Sequence, residues 1–319
     1  MTIVAPIDAA DLVRLDALAV ERGITLTAEA PMAPLTTLRV GGPADRLVEA
    51  QSRDELLAAL GLARDAAAPW FVIGNGSDLV VADAGIRGLV IRNRSREVAV
   101  DGQRMHADAG SPMALLVRRG TAAGLAGLEF GTSIPGTLGG AVWANAGAHD
   151  REMRDVVVAV EAWDPSDGGV GTLDADACRF AYRESRFKHT PQVIVAATLA
   201  VDHDEPDAIA GRVAANQARR VATQPLADQN AGSVFRNPPG DYAGRLIDAA
   251  GLKGRRLGTA SVSTLHANFI VTDRGGRAAD VRALGDQVRA AVSERFGIDL
   301  AYEIEFVGEW GAASGDGPL

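Results

Sequence analysis

Residues 127–147 read GLEFGTSIPGTLGGAVWANAG, and the slightly longer run 124–148 holds seven glycines together with Pro135 and a single carboxylate, Glu129. A membrane-spanning helix needs about 20 mostly apolar residues with far fewer interruptions. An ordinary core segment would not tolerate this much glycine either, because each glycine costs conformational entropy and contributes no packing. The stretch therefore reads as main chain shaped for close approach to something else.

The rest of the composition limits what that something is. At 319 residues, with 47% apolar and 23% charged residues, the chain is long enough to bury two or three cores. Its net charge of -9 and pI near 5.1 oppose a surface that tracks nucleic-acid phosphates, while leaving room for a local pocket for a small anion. Cys178 is the only cysteine. It excludes an internal disulfide and a cysteine-built zinc site, suits a reducing compartment, and reads as inert filler. The five histidines show no paired ligand spacing, so no metal site is expected. The first 23 residues alternate acidic and apolar positions at helical spacing without a basic start and apolar block, so the expected location is the cytoplasm.

Helix and strand signals alternate along the chain. SRDELLAALGLARDA opens with Ser52 and carries Glu55 three residues later, a capping-box pattern. SPMALLVRRGTAAG repeats the device with Ser111 as cap and Pro112 in the first turn. WFVIGNG reads as a buried strand ending in glycine, and DVVVAVEAW and VIVAATLAVD read as further strands. A helix at AIAGRVAANQARRVA leads to TQPLADQN, which suggests a domain boundary at 205–225. Beyond it come helices at DYAGRLIDAAG and AADVRALGDQVRAAVSERFG, a strand at NFIVTD, a closing strand at LAYEIEFVG and a flexible tail, 310–319. There is no internal repeat.

Two more glycine clusters, RVGGPADRL and GNGSDLVVADAGIRG, precede the opening stretch. Any one could be a tight turn. Three within the first 150 residues point instead to a phosphate cradle of main-chain N–H groups and small hydroxyls. GNGSDL lacks the third glycine of a dinucleotide fingerprint, and no G-K-[ST] ends a P-loop. A different phosphate-binding fold is required.

Six segments in order, TTLRVGGPADRLV, VIGNGSDLVVADAGIRGLVI, GLEFGTSIPGTLGGAVWANAGA, FAYRESRFK, NAGSVFRNP and LAYEIEFVG, resemble the UDP-N-acetylenolpyruvoylglucosamine reductases, the MurB family. The resemblance runs from about residue 30 to 308. It implies an α+β protein: an FAD-binding fold of the vanillyl-alcohol-oxidase (PCMH) type in two subdomains, 1–92 (completed by the strand 300–309) and 93–204, plus an α+β substrate-binding domain, 205–299. It also implies that a UDP-sugar enolpyruvyl ether is reduced by NADPH through FAD, with a monomer as the family default. Only KHTPQ separates YRESRF from the next strand, as in members lacking a tyrosine-bearing loop over the substrate.

The same resemblance distributes roles. Arg39, Gly74, Asn75, Gly76, Ser77, Asp78, Ser133, Ile134, Pro135, Gly136, Gly139 and Gly140 would border FAD, with 74–78 around the pyrophosphate and Gly76 touching it so closely that a side chain there would displace it. Asp78 and Ser133 depart from the family, which more often has Asn at the first position and Ala or Gly at the second. Arg183 would stabilise the enolate formed when hydride reaches the substrate, Ser233 would donate the proton, and Glu303 would assist, with Glu305 as its rival on the same strand face. Tyr182, Asn237 and His266 would contact the substrate. Taken without the family, Arg183 in YRESRFKH reads as a solvated surface group, Ser233 as a turn residue, and Glu303 and Glu305 as the outer face of a strand. A flavin-dependent oxidase tethering its cofactor through a histidine such as His149, or a non-catalytic nucleotide-sugar binder, are the rival readings.

Overall fold

Three larger sheets, of four, five and four strands, organise the residues described by the computed structural model, 9–311, and each packs against apolar side chains of its own. The first sheet runs Thr27–Pro31, Pro43–Ala50, Ile86–Asn93, Trp70–Ile73, and the last three strands are parallel. Its parallel strands are joined through the helix Arg53–Asp65, which buries Leu56, Ala59, Leu60, Leu62 and Ala63. That helix starts as its sequence implies, with Glu55 N–H donating to Ser52 Oγ at 3.2 Å. The reciprocal bond of the capping box lands one residue early: Glu55 accepts from Gln51 N–H at 2.8 Å.

The second sheet is antiparallel throughout, in the order Val170–Asp174, Val157–Trp163, Val193–Ala200, Arg104–Asp108, Val98–Asp101. Against it pack the helices Met113–Ala122 and Leu138–Trp143. Trp163, Val193 and Val195 reach from it into the first sheet's core, where Trp163 meets Trp70 edge-on at 6.0 Å. The helix Met113–Ala122 corrects one expectation. Pro112 itself is the cap residue, no side chain caps the helix, and Ser111 Oγ is buried without a partner.

The third sheet, Gln229–Asn230, Ile270–Thr272, Ala260–Val262, Arg256–Leu257, lies with the helices Ala243–Ala249 and Ala278–Phe296. Gly297 ends the long helix in the left-handed conformation, φ 68°, which a side chain would resist. The helix Pro206–Thr223 does not join this third group. It docks on the turn 129–133 of the second, where Arg212 pairs with Glu129 at 2.7 Å and Gln217 bonds Thr132.

Two connections bind the third group to the first. Asp83 accepts from the N–H groups of Ala278 and Ala279 at 2.8 and 3.1 Å, capping the long helix from the opposite side. At the end of the chain, Glu305–Val307 adds in parallel to Leu79–Val81. The closing strand is therefore shorter than LAYEIEFVG suggests, and the residues before it instead touch the third group through a Phe235–Tyr302 bridge. Trp310 packs edge-on against Phe306 at 5.4 Å. The tail expectation for 312–319, and the first eight residues of the leader reading, lie outside the described residues. Among the described residues, no helix is long and apolar enough to cross a membrane.

Candidate active site

The three groups meet around one cleft of about 1890 Å³. An ordinary small-molecule pocket holds roughly 300–1,000 Å³, so this one has room for a cofactor and a substrate together. Among the described residues, four of the eight non-glycine residues with positive φ line it: Arg39 (59°), His149 (54°), Asp150 (60°) and Arg183 (56°). Such backbone costs about 1–3 kcal/mol per residue and gathers where surrounding structure holds a functional geometry.

One wall comes from the loops 74–78 and 133–140, which the chain clips together. Asn75 Nδ2 donates to Pro135 O at 2.9 Å, so this side chain joins the loops. Gly74 permits the contact, since a Cβ there would stand 2.4 Å from Thr137 Oγ1. Gly139 likewise packs against Ala109, with 3.0 Å between a built Cβ and the alanine Cβ. Gly76, with φ 59°, would place its Cβ 2.5 Å from Leu35 O, facing away from the cleft. The expectation that a side chain at Gly76 strikes the ligand thus has the wrong direction: it would strike the protein's own main chain. Gly136 and Gly140 are the open ones, with nothing closer to an added Cβ than Ser77 Oγ at 3.2 Å and Thr137 Oγ1 at 3.9 Å, respectively.

This wall fits a pyrophosphate. Among the described residues no protein acceptor is assigned to the N–H groups of Asn75, Gly76 and Ser77, and the Ser77 hydroxyl stands beside them. Thr37 holds the loop from behind, its N–H donating to Gly76 O at 3.0 Å. Ile134, Pro135 and Arg39 also line the cleft. Ser133 Oγ lies 2.8 Å from His149 Nε2, and burial, then the charge of Arg219, pulls the His149 pKa below its ordinary range. Asp78 behaves oppositely: burial first, then repulsion from Glu305, push its carboxyl up to about 6 against the opposing pull of Lys188.

The charged corner is assembled from distant segments. Asn145, fully buried and left-handed (φ 43°), donates to Ala181 O at 2.7 Å and to Glu152 at 2.9 Å, fixing the loop that carries Arg183. Arg183 Nε then donates to Glu303 Oε1 at 2.6 Å, and a terminal nitrogen donates to Gly147 O at 3.2 Å. Glu303 N–H donates to Val234 O at 2.8 Å, which sets Glu303 beside Ser233 through the main chain. The cleft lining includes Arg183, Ser233 and Glu303. Glu305, the rival of Glu303, pairs with Lys188 Nζ at 3.2 Å, so the two carboxylates take different cations.

The substrate-contact candidates separate. His266 lines the cleft, edge-on to Phe269 at 4.8 Å, with its pKa lowered by burial. Tyr182 and Asn237 lie outside the lining and engage each other: Asn237 N–H donates to the Tyr182 hydroxyl at 3.3 Å. Asn237 Oδ1 also accepts from Ala243 N–H at 3.0 Å, at the start of a helix. Residues 189–192 alone join the turn Arg186–Lys188 to the strand Val193–Ala200, so no insertion follows the arginine motif. Cys178 is fully buried, and desolvation raises its thiol to about 11, in keeping with an inert role. No group of acidic, histidine or cysteine side chains suited to a metal occurs among the described residues.

Two family models match the chain: an FAD binding domain over residues 44–174, and the C-terminal domain of UDP-N-acetylenolpyruvoylglucosamine reductase over 224–307. A reductase of that name from Moorella thermoacetica is 47% identical over 280 residues, 88% of this chain and 92% of the relative. A second, from Symbiobacterium thermophilum, is 44% identical over 88% of this chain and 91% of its own. The crystal structure of the reductase from Thermus caldophilus superposes with a TM-score of 0.75 at 36% identity, covering 89% of this chain and 98% of that one.

Proposed function

The chain belongs to the UDP-N-acetylenolpyruvoylglucosamine reductase family, and from that premise we propose that it reduces UDP-N-acetylglucosamine enolpyruvate to UDP-N-acetylmuramate with NADPH, a step in making peptidoglycan precursors. Bound FAD supplies the redox carrier between NADPH and the enolpyruvyl carbon. The observation that carries the proposal is a single cleft with a main-chain wall suited to a pyrophosphate and a corner where Arg183, Glu303 and Ser233 converge.

Hydride arriving at carbon 3 of the enolpyruvyl group leaves negative charge on carbon 2 and its carboxylate, and a neighbouring cation lowers that barrier. Arg183 is fit for this. Glu303 orients its guanidinium through Nε and Gly147 O takes one N–H of a terminal nitrogen, and the other N–H groups would face the substrate carboxylate. Ser233 would then give its hydroxyl proton to carbon 2 and regain one from solvent water, with Glu303 close by through the Val234 carbonyl. His266 would line the sugar end of the cleft, and Tyr182 and Asn237 would form one unit at its rim. A cytoplasmic location and a monomeric state complete the proposal; sedimentation velocity checks the second.

Anaerobic stopped-flow spectroscopy tests the assignment by separating its halves. Wild-type protein should purify yellow, bleach with NADPH and regain colour with the UDP-sugar. Ser233→Ala should bleach normally and reoxidise about 10²–10⁴-fold more slowly, the usual cost of losing a positioned proton donor. Equal slowing of both halves, or normal reoxidation, removes Ser233 from that role.

A further inference from the structure

The ammonium of Lys188 stands in the cleft wall with its side chain only 8% exposed. Burying a charge is costly, and a lysine tolerates it only where a partner or a ligand compensates. One donor reaches Glu305 Oε1 at 3.2 Å. Nζ also lies over the Trp143 ring, 4.2 Å from its centroid, and that ring is held in place by its own bond from Nε1 to Phe187 O at 3.0 Å. An ammonium has three N–H donors, and among the described residues no second protein acceptor is assigned to this one. Its remaining donors border the cleft.

Position narrows what they meet. Glu305 donates its N–H to Asp78 O at 2.8 Å, so Lys188 sits beside the end of the loop that suits a pyrophosphate. Two residues before Glu305, Glu303 holds Arg183 in the reacting corner. Lys188 thus lies between the anchored end of the cofactor and the place where hydride changes hands. FAD runs from its pyrophosphate through a ribityl chain to its redox-active ring, and the ring end would come toward the reacting corner that Lys188 adjoins. Two-electron reduction with one proton leaves that ring one unit more negative, and a fixed cation in a water-poor wall favours the added charge.

We propose that Lys188 is a further residue of the reaction, the fixed positive charge held against the ring of bound FAD, and that Glu305 tempers this charge. The inference rests on the flavin reading given above. It makes an uncommon demand: removing the two partners must move one quantity in opposite directions. Lys188→Met takes away the cation and should lower the midpoint potential of bound FAD, by about tenfold in the reduction equilibrium, or about 30 mV for a two-electron couple. Glu305→Gln frees the cation from its counter-charge and should raise the potential. Lys188→Arg should restore a value close to wild type, because charge is what matters.

Spectroelectrochemical titration of the FAD-loaded proteins reads all three. If Lys188→Met does not retain FAD, the positive shift in Glu305→Gln carries the test. Potentials unchanged in both variants overturn the proposal. An unchanged potential with a raised KM for the UDP-sugar also overturns it, and assigns the ammonium to the substrate. A wild-type protein that binds no flavin overturns this inference and the proposed function together, whereas flavin bound at unaltered potential overturns this inference alone.

Discussion

Along residues 74–78 and 133–140 the protein offers main chain, glycine and small hydroxyls; adjoining this wall in the same cleft it offers four formal charges in two ion pairs, Arg183–Glu303 and Lys188–Glu305. The first wall is made from two loops held by bonds such as Asn75 to Pro135, 60 residues apart. The second joins residues whose sequence separation is 120 for Arg183 and Glu303 and 117 for Lys188 and Glu305. A ligand part that carries constant charge is met by dipoles that need no counter-ion, while a part whose charge changes during reaction is met by fixed charges whose positions are over-determined. On the proposed function, one wall would bind and the other respond.

That contrast breaks most sharply at the glycines. Gly76→Val forces a β-branched residue into φ 59° and against Leu35 O, a clash with main chain that should destabilise the first sheet's loop by about 4 kcal/mol or more. Thermal melting of the apo-protein would show it. Gly140→Leu should do the reverse: leucine suits a helix better than glycine does, and an added Cβ there meets only open cleft. Apo stability should hold or rise while the Kd for FAD increases about 100-fold or more, read by flavin fluorescence quenching. Equal FAD affinity in Gly140→Leu would remove this face from the cofactor site.

At the charged corner, Arg183→Gln should leave reduction by NADPH near normal and slow reoxidation by about 10²–10³-fold, the scale for losing one group that stabilises developing negative charge. Half-reactions slowed alike would make Arg183 a binding residue for both ligands.

The smallest effect concerns the seam between the two regions. Asp78 has an ordinary value of 3.8 but is held near 6 by burial and by Glu305, with Glu303 adding to and Lys188 opposing the rise. The unfolded chain loses this proton near pH 4, whereas the folded one keeps it to about 6. Folding therefore takes up a proton in that window, and stability falls as pH rises through it. Asp78→Asn should flatten this slope and stabilise the apo-protein at pH 7 by of order 2 kcal/mol. Urea titrations at pH 4.5 and pH 7 measure it, and a slope unchanged by the substitution would place the effect elsewhere.

How far each region can be read from sequence follows from the same contrast. Glycine spacing, the Ser52 cap and the helix-strand alternation are local, so the order of amino acids is enough to display them. Even there direction is hidden: Gly76 and Gly140 look alike in sequence, and only the fold shows that one faces Leu35 O and the other the cleft. Ser111 fails as a cap because the proline after it takes the cap position. The ionic corner carries no local signal at all. Arg183, Glu303 and Ser233 stand out by their family motifs, whereas Lys188, in the same motif as Arg183, gives no hint of its place over Trp143 or its pairing with Glu305. Asn145, the buried clamp of the arginine loop, does leave a trace, as an amide inside an apolar, glycine-rich run.

The parallel pairing of Leu79–Val81 with Glu305–Val307 also sets an order of events in the cell. A polypeptide leaving the ribosome presents the first of these strands long before the second, so the intervening sheets can form while the earlier strand still lacks its neighbour. Closing so long a loop is slow and waits for Glu305–Val307. The turn 74–78 runs directly into the waiting strand, and its last residue, Asp78, gains its bond from Glu305 N–H only when that strand has docked. A chain lacking Glu305–Val307 should therefore leave the edge Leu79–Val81 unpaired and hold flavin less tightly, which flavin fluorescence would measure.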